Sequence, residues 1–154
     1  MIQRIQSVYL LFAAIFMTIV AVFPLAYFTG ENQFFNLYAI GLKDLDGVMA
    51  QSTIYMFALV VASAILPFVA LFLFKRRMLQ IRLCVVEAVL LVGSCIMIGA
   101  YIFLSHRAFS GLELFSQGYK PILVLPVVSI FLVFFAAKAI FKDELLIRSV
   151  DRIR

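Results

Sequence analysis

Charge is scarce in this chain: Asp, Glu, Lys and Arg together make up 14% of its 154 residues, against 66% hydrophobic ones. A soluble domain is nearer a quarter charged and half apolar. A globule of this size has no interior large enough for so much apolar side chain, and a disordered tail is excluded for the same reason. Seven glycines and four prolines are too few for a collagen-like repeat. Cysteine is limited to Cys84 and Cys95. On one helix they stand about 16 Å apart, beyond disulfide reach, and they form no C-x-x-C. A disulfide-dense secreted scaffold and a membrane redox enzyme are therefore not expected. His106 is the single histidine, so no His/Cys metal cluster can be assembled, and it reads as an interfacial residue. Asp44, Asp46 and Gly47 look like part of a calcium loop, but too few acids follow, so they read as a turn. No phosphate-binding loop, nucleophile constellation or paired catalytic carboxylates occur. The expectation is a non-enzymatic protein without metal or cofactor.

What is present is grease. Mean hydropathy is +1.13 and phenylalanine alone occurs seventeen times. A hydrocarbon layer about 30 Å thick asks for roughly twenty uncharged residues in a helix. Four segments meet that demand, at about 8–28, 53–74, 83–104 and 122–141. Their apolar residues run right round each helix, as expected where lipid replaces water. The first segment lacks a small-x-small cleavage signal, so it is expected to remain as a helix and not to be removed. The fold class predicted is an all-α membrane protein, a single four-helix transmembrane bundle.

Basic residues set the threading, because Lys and Arg resist translocation. Arg4, Lys75, Arg76, Arg77, Arg82, Lys138, Lys142, Arg148, Arg152 and Arg154 fall on one side, and only Lys43, Arg107 and Lys120 on the other. Both termini and the 75–82 connection are expected in the cytoplasm. Five of the six tyrosines (27, 38, 55, 101 and 119) fall at the opposite ends of the spans, where an amphipathic ring suits the headgroup layer. The basic balance then needs anionic lipid and no nucleic acid.

Three stretches carry a resemblance: the opening Met1-Ile-Gln-Arg-Ile-Gln-Ser-Val-Tyr-Leu-Leu, the central Lys-Arg-Arg-Met-Leu-Gln-Ile-Arg-Leu-Cys of 75–84, and the closing Lys-Asp-Glu-Leu-Leu-Ile-Arg-Ser-Val-Asp-Arg-Ile-Arg of 142–154. In order and spacing they resemble an uncharacterised four-span membrane family of Bacteroidota. The resemblance implies a bacterial inner (cytoplasmic) membrane and supplies no reaction.

The longest outer loop, 29–52, contains a β-prone run, Gln-Phe-Phe-Asn-Leu-Tyr-Ala-Ile of 33–40, and a turn at 43–47. A small β-hairpin or a lid over the bundle is expected there, whereas the second outer loop, 105–120, reads as irregular. Pro24 and Pro67 are expected to bend the first two helices, and Pro121 to open the fourth. Small residues at Ala58 and Ala62, and at Cys95 and Gly99, have the spacing of close helix contacts, within the chain or with another protein. Beyond the fourth span, the cytoplasmic tail 142–154 keeps helical spacing. Leu146, Val150 and Ile153 form one apolar line and Glu144 with Arg148 an i,i+4 pair, giving an amphipathic extension that lies on lipid or docks on a partner.

Within the spans two ionisable side chains stand out, Glu87 and Lys138. They lie at similar depth on the same side and are candidates for an intramembrane pair, with Arg82 and Arg4 competing for the carboxylate. Cytoplasmic contacts to lipid headgroups or partners are expected from Lys75, Arg76, Arg77, Arg82, Arg148 and Arg152. The leading expectation is a scaffold or accessory subunit of a larger inner-membrane complex, associating with other membrane proteins or with itself. The alternative is a small transporter or channel with Glu87 as its proton or cation site, in a homo-oligomer if one group per chain is too few.

Overall fold

The structure, a computed structural model, describes residues 5–29, 34–44, 46–73, 77–109 and 116–151. Four helices carry the fold: α1 (Ile5–Val22), α2 (Ile54–Phe72), α3 (Arg77–Phe109) and α4 (Leu125–Asp151). Each packs on two neighbours, α1 and α3 both lying between α2 and α4. At 1.5 Å per residue α1 and α2 are about 27–29 Å long, matching a hydrocarbon core, while α3 at about 50 Å must project beyond it.

All four are long and apolar enough to cross a membrane, and only 22–33% of the residues in each candidate span are buried inside the bundle. The outward remainder is not polar: Phe12, Ile65, Phe72, Val89, Ile96, Phe131 and Phe134 are among the large apolar side chains left exposed. A water-soluble bundle reverses that pattern. The chain therefore reads as a multi-pass membrane protein whose outer surface is matched to lipid.

The interior mixes large apolar side chains, among them Leu10, Met17, Met56, Leu91 and Ile140, with small ones. Ala13 and Ala14 of α1, Ser63, Ala64 and Ala70 of α2, Ser94 of α3, and Ser129 and Ala136 of α4 are all buried, which lets helix backbones approach. These are not the pairs expected from the sequence. Ala58 and Gly99 are exposed, and nothing lies within 4 Å of where a Cβ on Gly99 would be. Pro67 sits inside the continuous α2, with its ring buried.

The largest departure from expectation is an antiparallel sheet across one end of the bundle. Its strands are β1 (Ala26–Thr29), β2 (Phe34–Leu37), β3 (Gly41–Asp44), β4 (Met49–Ser52) and β5 (Ser116–Tyr119), in the order β4-β3-β2-β1-β5. The all-α class thus needs correcting, and the expected hairpin is one part of something larger. Two local readings change with it. Their apolarity puts residues 23–28 in the expected first span, yet α1 stops at Val22. Pro24, with no N–H to donate, follows that end, and Ala26 and Phe28 are buried through strand alternation while Tyr27 points outward. The second outer loop is not irregular throughout, since its residues 116–119 pair with β1 from Ala26↔Tyr119 to Thr29↔Ser116. The turn expected at 43–47 is present: Gly47 N–H donates to the Asp44 carbonyl at 2.9 Å with a φ of 77° at Gly47, a conformation that suits glycine.

The sheet is stitched to the helices. Leu25 N–H donates to the Leu37 carbonyl at 2.8 Å, and Lys120 N–H to the Leu25 carbonyl at 3.0 Å. Thr53, buried just before α2, donates its hydroxyl to the Ala39 carbonyl at 2.8 Å and its N–H to the Ile40 carbonyl at 3.1 Å. A short 3-10 turn, Pro121–Val124, then leads from β5 into α4.

Candidate functional site in the bundle interior

Helix α3 turns one line of residues inward: Gln80, Cys84, Glu87, Leu91, Ser94, Ile98, Ile102 and Ser105 are all buried. Steps of three and four keep the line on one face. Of its polar members, Gln80, Glu87 and Ser94 are seven apart, so each falls about two turns beyond the last, and Ser105 lies further on. This spacing is legible in the sequence, but of the three only Glu87 is marked by charge.

Midway along the bundle the polar atoms are satisfied. Ser94 Oγ lies 3.4 Å from Ser63 Oγ of α2. Each hydroxyl is also within reach of its own helix, Ser63 of the Leu59 carbonyl at 3.0 Å and Ser94 of the Leu90 carbonyl at 2.9 Å. Ser129 of α4 donates likewise to the Leu125 carbonyl at 2.9 Å. A serine that returns to the carbonyl four residues back can be buried in an apolar helix at little cost.

Glu87 is different. It is 1% exposed, and neither carboxylate oxygen has a hydrogen-bond partner among the described residues. The pairing with Lys138 suggested by their depth is not formed. On α4, Ala136 and Ile140 face the interior, and Lys138 is two residues from each, about 200° of rotation away. Its side chain is exposed and lines a cleft between α1 and α4 instead. Arg82 is also exposed, and Arg4 lies outside the described residues. An ionised carboxylate so placed costs roughly 2.5–3.5 kcal/mol at mid-membrane, less towards a surface.

A second buried polar group was missed from the sequence. Gln6 of α1 is 7% exposed and donates Nε2–H to Asp143 Oδ2 of α4 at 3.4 Å, while its Oε1 has no partner. The two residues are 137 apart in the chain, so no local pattern announced the contact. Of the expected cytoplasmic contacts, Lys75, Arg76 and Arg152 lie outside the described residues. Arg77 and Arg148 fall in the helical backbone of α3 and α4. Residues to 151 continue α4, so the expected tail extends the fourth helix without a break up to that point. Leu146 and Val150 lie on that helical backbone, and Ile153 lies outside the described residues.

At the sheet end the polar groups close on one another. His106, on the last turn of α3, donates Nδ1–H to Gln117 Oε1 at 2.9 Å, and Gln117 Nε2–H donates to the Tyr119 hydroxyl at 2.8 Å. His106 is thus a clasp between α3 and β5. Among the described residues no three His, Cys, Asp or Glu side chains gather as a metal site.

Compared with known proteins, the chain matches the family model described as Domain of unknown function (DUF4293) over residues 2–153. No curated protein matches it.

Proposed function

For a chain that belongs to the DUF4293 family, we propose a non-enzymatic role as a scaffold or accessory subunit of a larger inner-membrane complex. The observation that carries this reading is the five-stranded sheet formed from the α1–α2 and α3–α4 connections and hydrogen-bonded to helix ends. Such a platform, on a bundle with an apolar core, holds its shape and presents an edge strand, β4, whose four residues are all exposed. Open strand edges recruit other strands, and a membrane-anchored one selects partners on its own side of the bilayer.

The basic residues support an orientation in which the sheet faces the periplasm and both termini the cytoplasm. A reporter fused behind Arg154 is then active only in the cytoplasm. Purification from the native membrane in a gentle detergent, followed by mass spectrometry, tests the role itself. The expected result is the same membrane proteins recovered in every preparation. Recovery of this chain alone, across several detergents, contradicts it.

A second reading is favoured by one observation, the buried and unpartnered carboxylate of Glu87. A group of that kind is suited to hold a proton or a cation on its way through, as in a small transporter or channel. Glu87 is enclosed within a single bundle, and a homo-oligomer would bring one such group per copy. In reconstituted vesicles, Glu87→Gln abolishes ion-dependent flux under this reading. Under the scaffold reading it leaves partner recovery unchanged.

A further inference from the structure

We propose that the cleft between α1 and α4 binds the headgroup of an anionic glycerophospholipid of the phosphatidylglycerol type. The cleft, about 440 Å³, is lined by Ile5, Gln6 and Tyr9 of α1 and by Phe135, Lys138, Ala139, Lys142 and Asp143 of α4. Lys138 and Lys142 are four residues apart and both exposed. That spacing places two ammonium groups on one face of α4, about 6 Å apart along its axis, a span that one phosphodiester can bridge.

The other polar lining of the cleft asks for the opposite chemistry. Gln6 Oε1 is buried without a donor, and the Asp143 carboxylate already accepts from Gln6 Nε2. An acceptor without a donor, in a cleft with two cations, suits a ligand that carries both negative charge and hydroxyl donors. A phosphate followed by a glycerol group is that ligand. A choline headgroup offers no hydroxyl to Gln6.

The remaining walls point to a lipid and not to a soluble phosphate. Ile5, Phe135 and Ala139 are apolar, and the same outer surface continues along the helices through exposed Val8, Phe12, Phe131 and Phe134. Acyl chains attached to a headgroup in the cleft would lie along this surface. Lys138 finds in such a lipid the counter-charge that Glu87 does not provide. The proposal rests on the chain spanning a membrane and is independent of whether it is a scaffold or a transporter.

The test uses the full chain purified in detergent, with lipid retention followed by native mass spectrometry and by thermal unfolding. Dioleoyl phosphatidylglycerol should be retained in preference to dioleoyl phosphatidylcholine by on the order of tenfold or more, since each lysine near an anionic headgroup adds to the attraction. Soluble glycerol 1-phosphate should neither bind at comparable concentration nor shift the unfolding temperature. The double variant Lys138→Gln, Lys142→Gln should lose the preference and keep its circular dichroism, while Lys138→Arg, Lys142→Arg retains the preference. Arg82→Gln, on an exposed part of α3, should leave it unchanged. Equal retention of the two lipids by the unaltered chain overturns the proposal, and so does a preference that survives the double glutamine variant. Binding of glycerol 1-phosphate as strong as that of the lipid overturns the assignment to a lipid.

Discussion

The two ends of the bundle treat polar groups in opposite ways. At the sheet end they are paired. The strands satisfy one another, Thr53 reaches the Ala39 carbonyl, and His106, Gln117 and Tyr119 form a chain of side-chain hydrogen bonds. At the end that holds the start of α1 and the close of α4, three buried atoms have no partner among the described residues. They are Gln6 Oε1 and both oxygens of Glu87. Native interiors leave few such atoms, so those that occur together call for a reason. The sheet end is a built structural joint. The other end has acceptors in place before anything has arrived to donate to them.

Substitutions at the two ends should separate this contrast, measured by thermal or denaturant unfolding of the full chain in detergent. The largest effect is expected at Gly41, where an added Cβ would stand 2.8 Å from the Gln51 carbonyl oxygen on the neighbouring strand. Gly41→Ala should destabilise by about 3 kcal/mol, because backbone cannot move aside as a side chain does. At the opposite end the sign reverses. Glu87→Leu removes a buried carboxyl that has no partner, and should stabilise by about 2 kcal/mol. A loss of stability there would mean that Glu87 is held by something, and the contrast between the ends would fail.

Two smaller changes sharpen the comparison. Thr53→Val leaves the Ala39 carbonyl without its buried donor and should cost about 1.5 kcal/mol. Ser63→Ala, midway between the ends, should cost no more than about 0.6 kcal/mol, because its hydroxyl also returns to the Leu59 carbonyl of its own helix. A larger loss would make the Ser63–Ser94 contact the true anchor of α2 on α3.

The helices were legible in the sequence because lipid demands length and apolarity together, and α2, α3 and α4 contain the expected apolar runs, although α3 begins at Arg77 and takes in most of the expected 75–82 connection. The end of α1 was not legible for the same reason. Leu25, Ala26 and Phe28 are as apolar as a span, but their burial in and beside β1 answers to pairing with residues far along the chain. Ser116, Gln117, Gly118 and Tyr119 show no alternation of their own, and they become β5 because β1 offers them an edge. The site was half visible. Glu87 declared itself by charge, whereas its lack of a partner depends on the rotation of Lys138 about α4, which only packing decides.

All of this depends on lipid covering the outward faces of the helices. The chain has no tryptophan, so one introduced at a chosen position reports without interference. In vesicles, a tryptophan in place of Ile96, which is 65% exposed on α3, should be quenched strongly by phospholipids brominated on their chains and hardly at all by aqueous iodide. A tryptophan in place of Gln51, on the exposed edge strand, should respond in the reverse way. Iodide quenching at position 96 as strong as at position 51 would contradict the account.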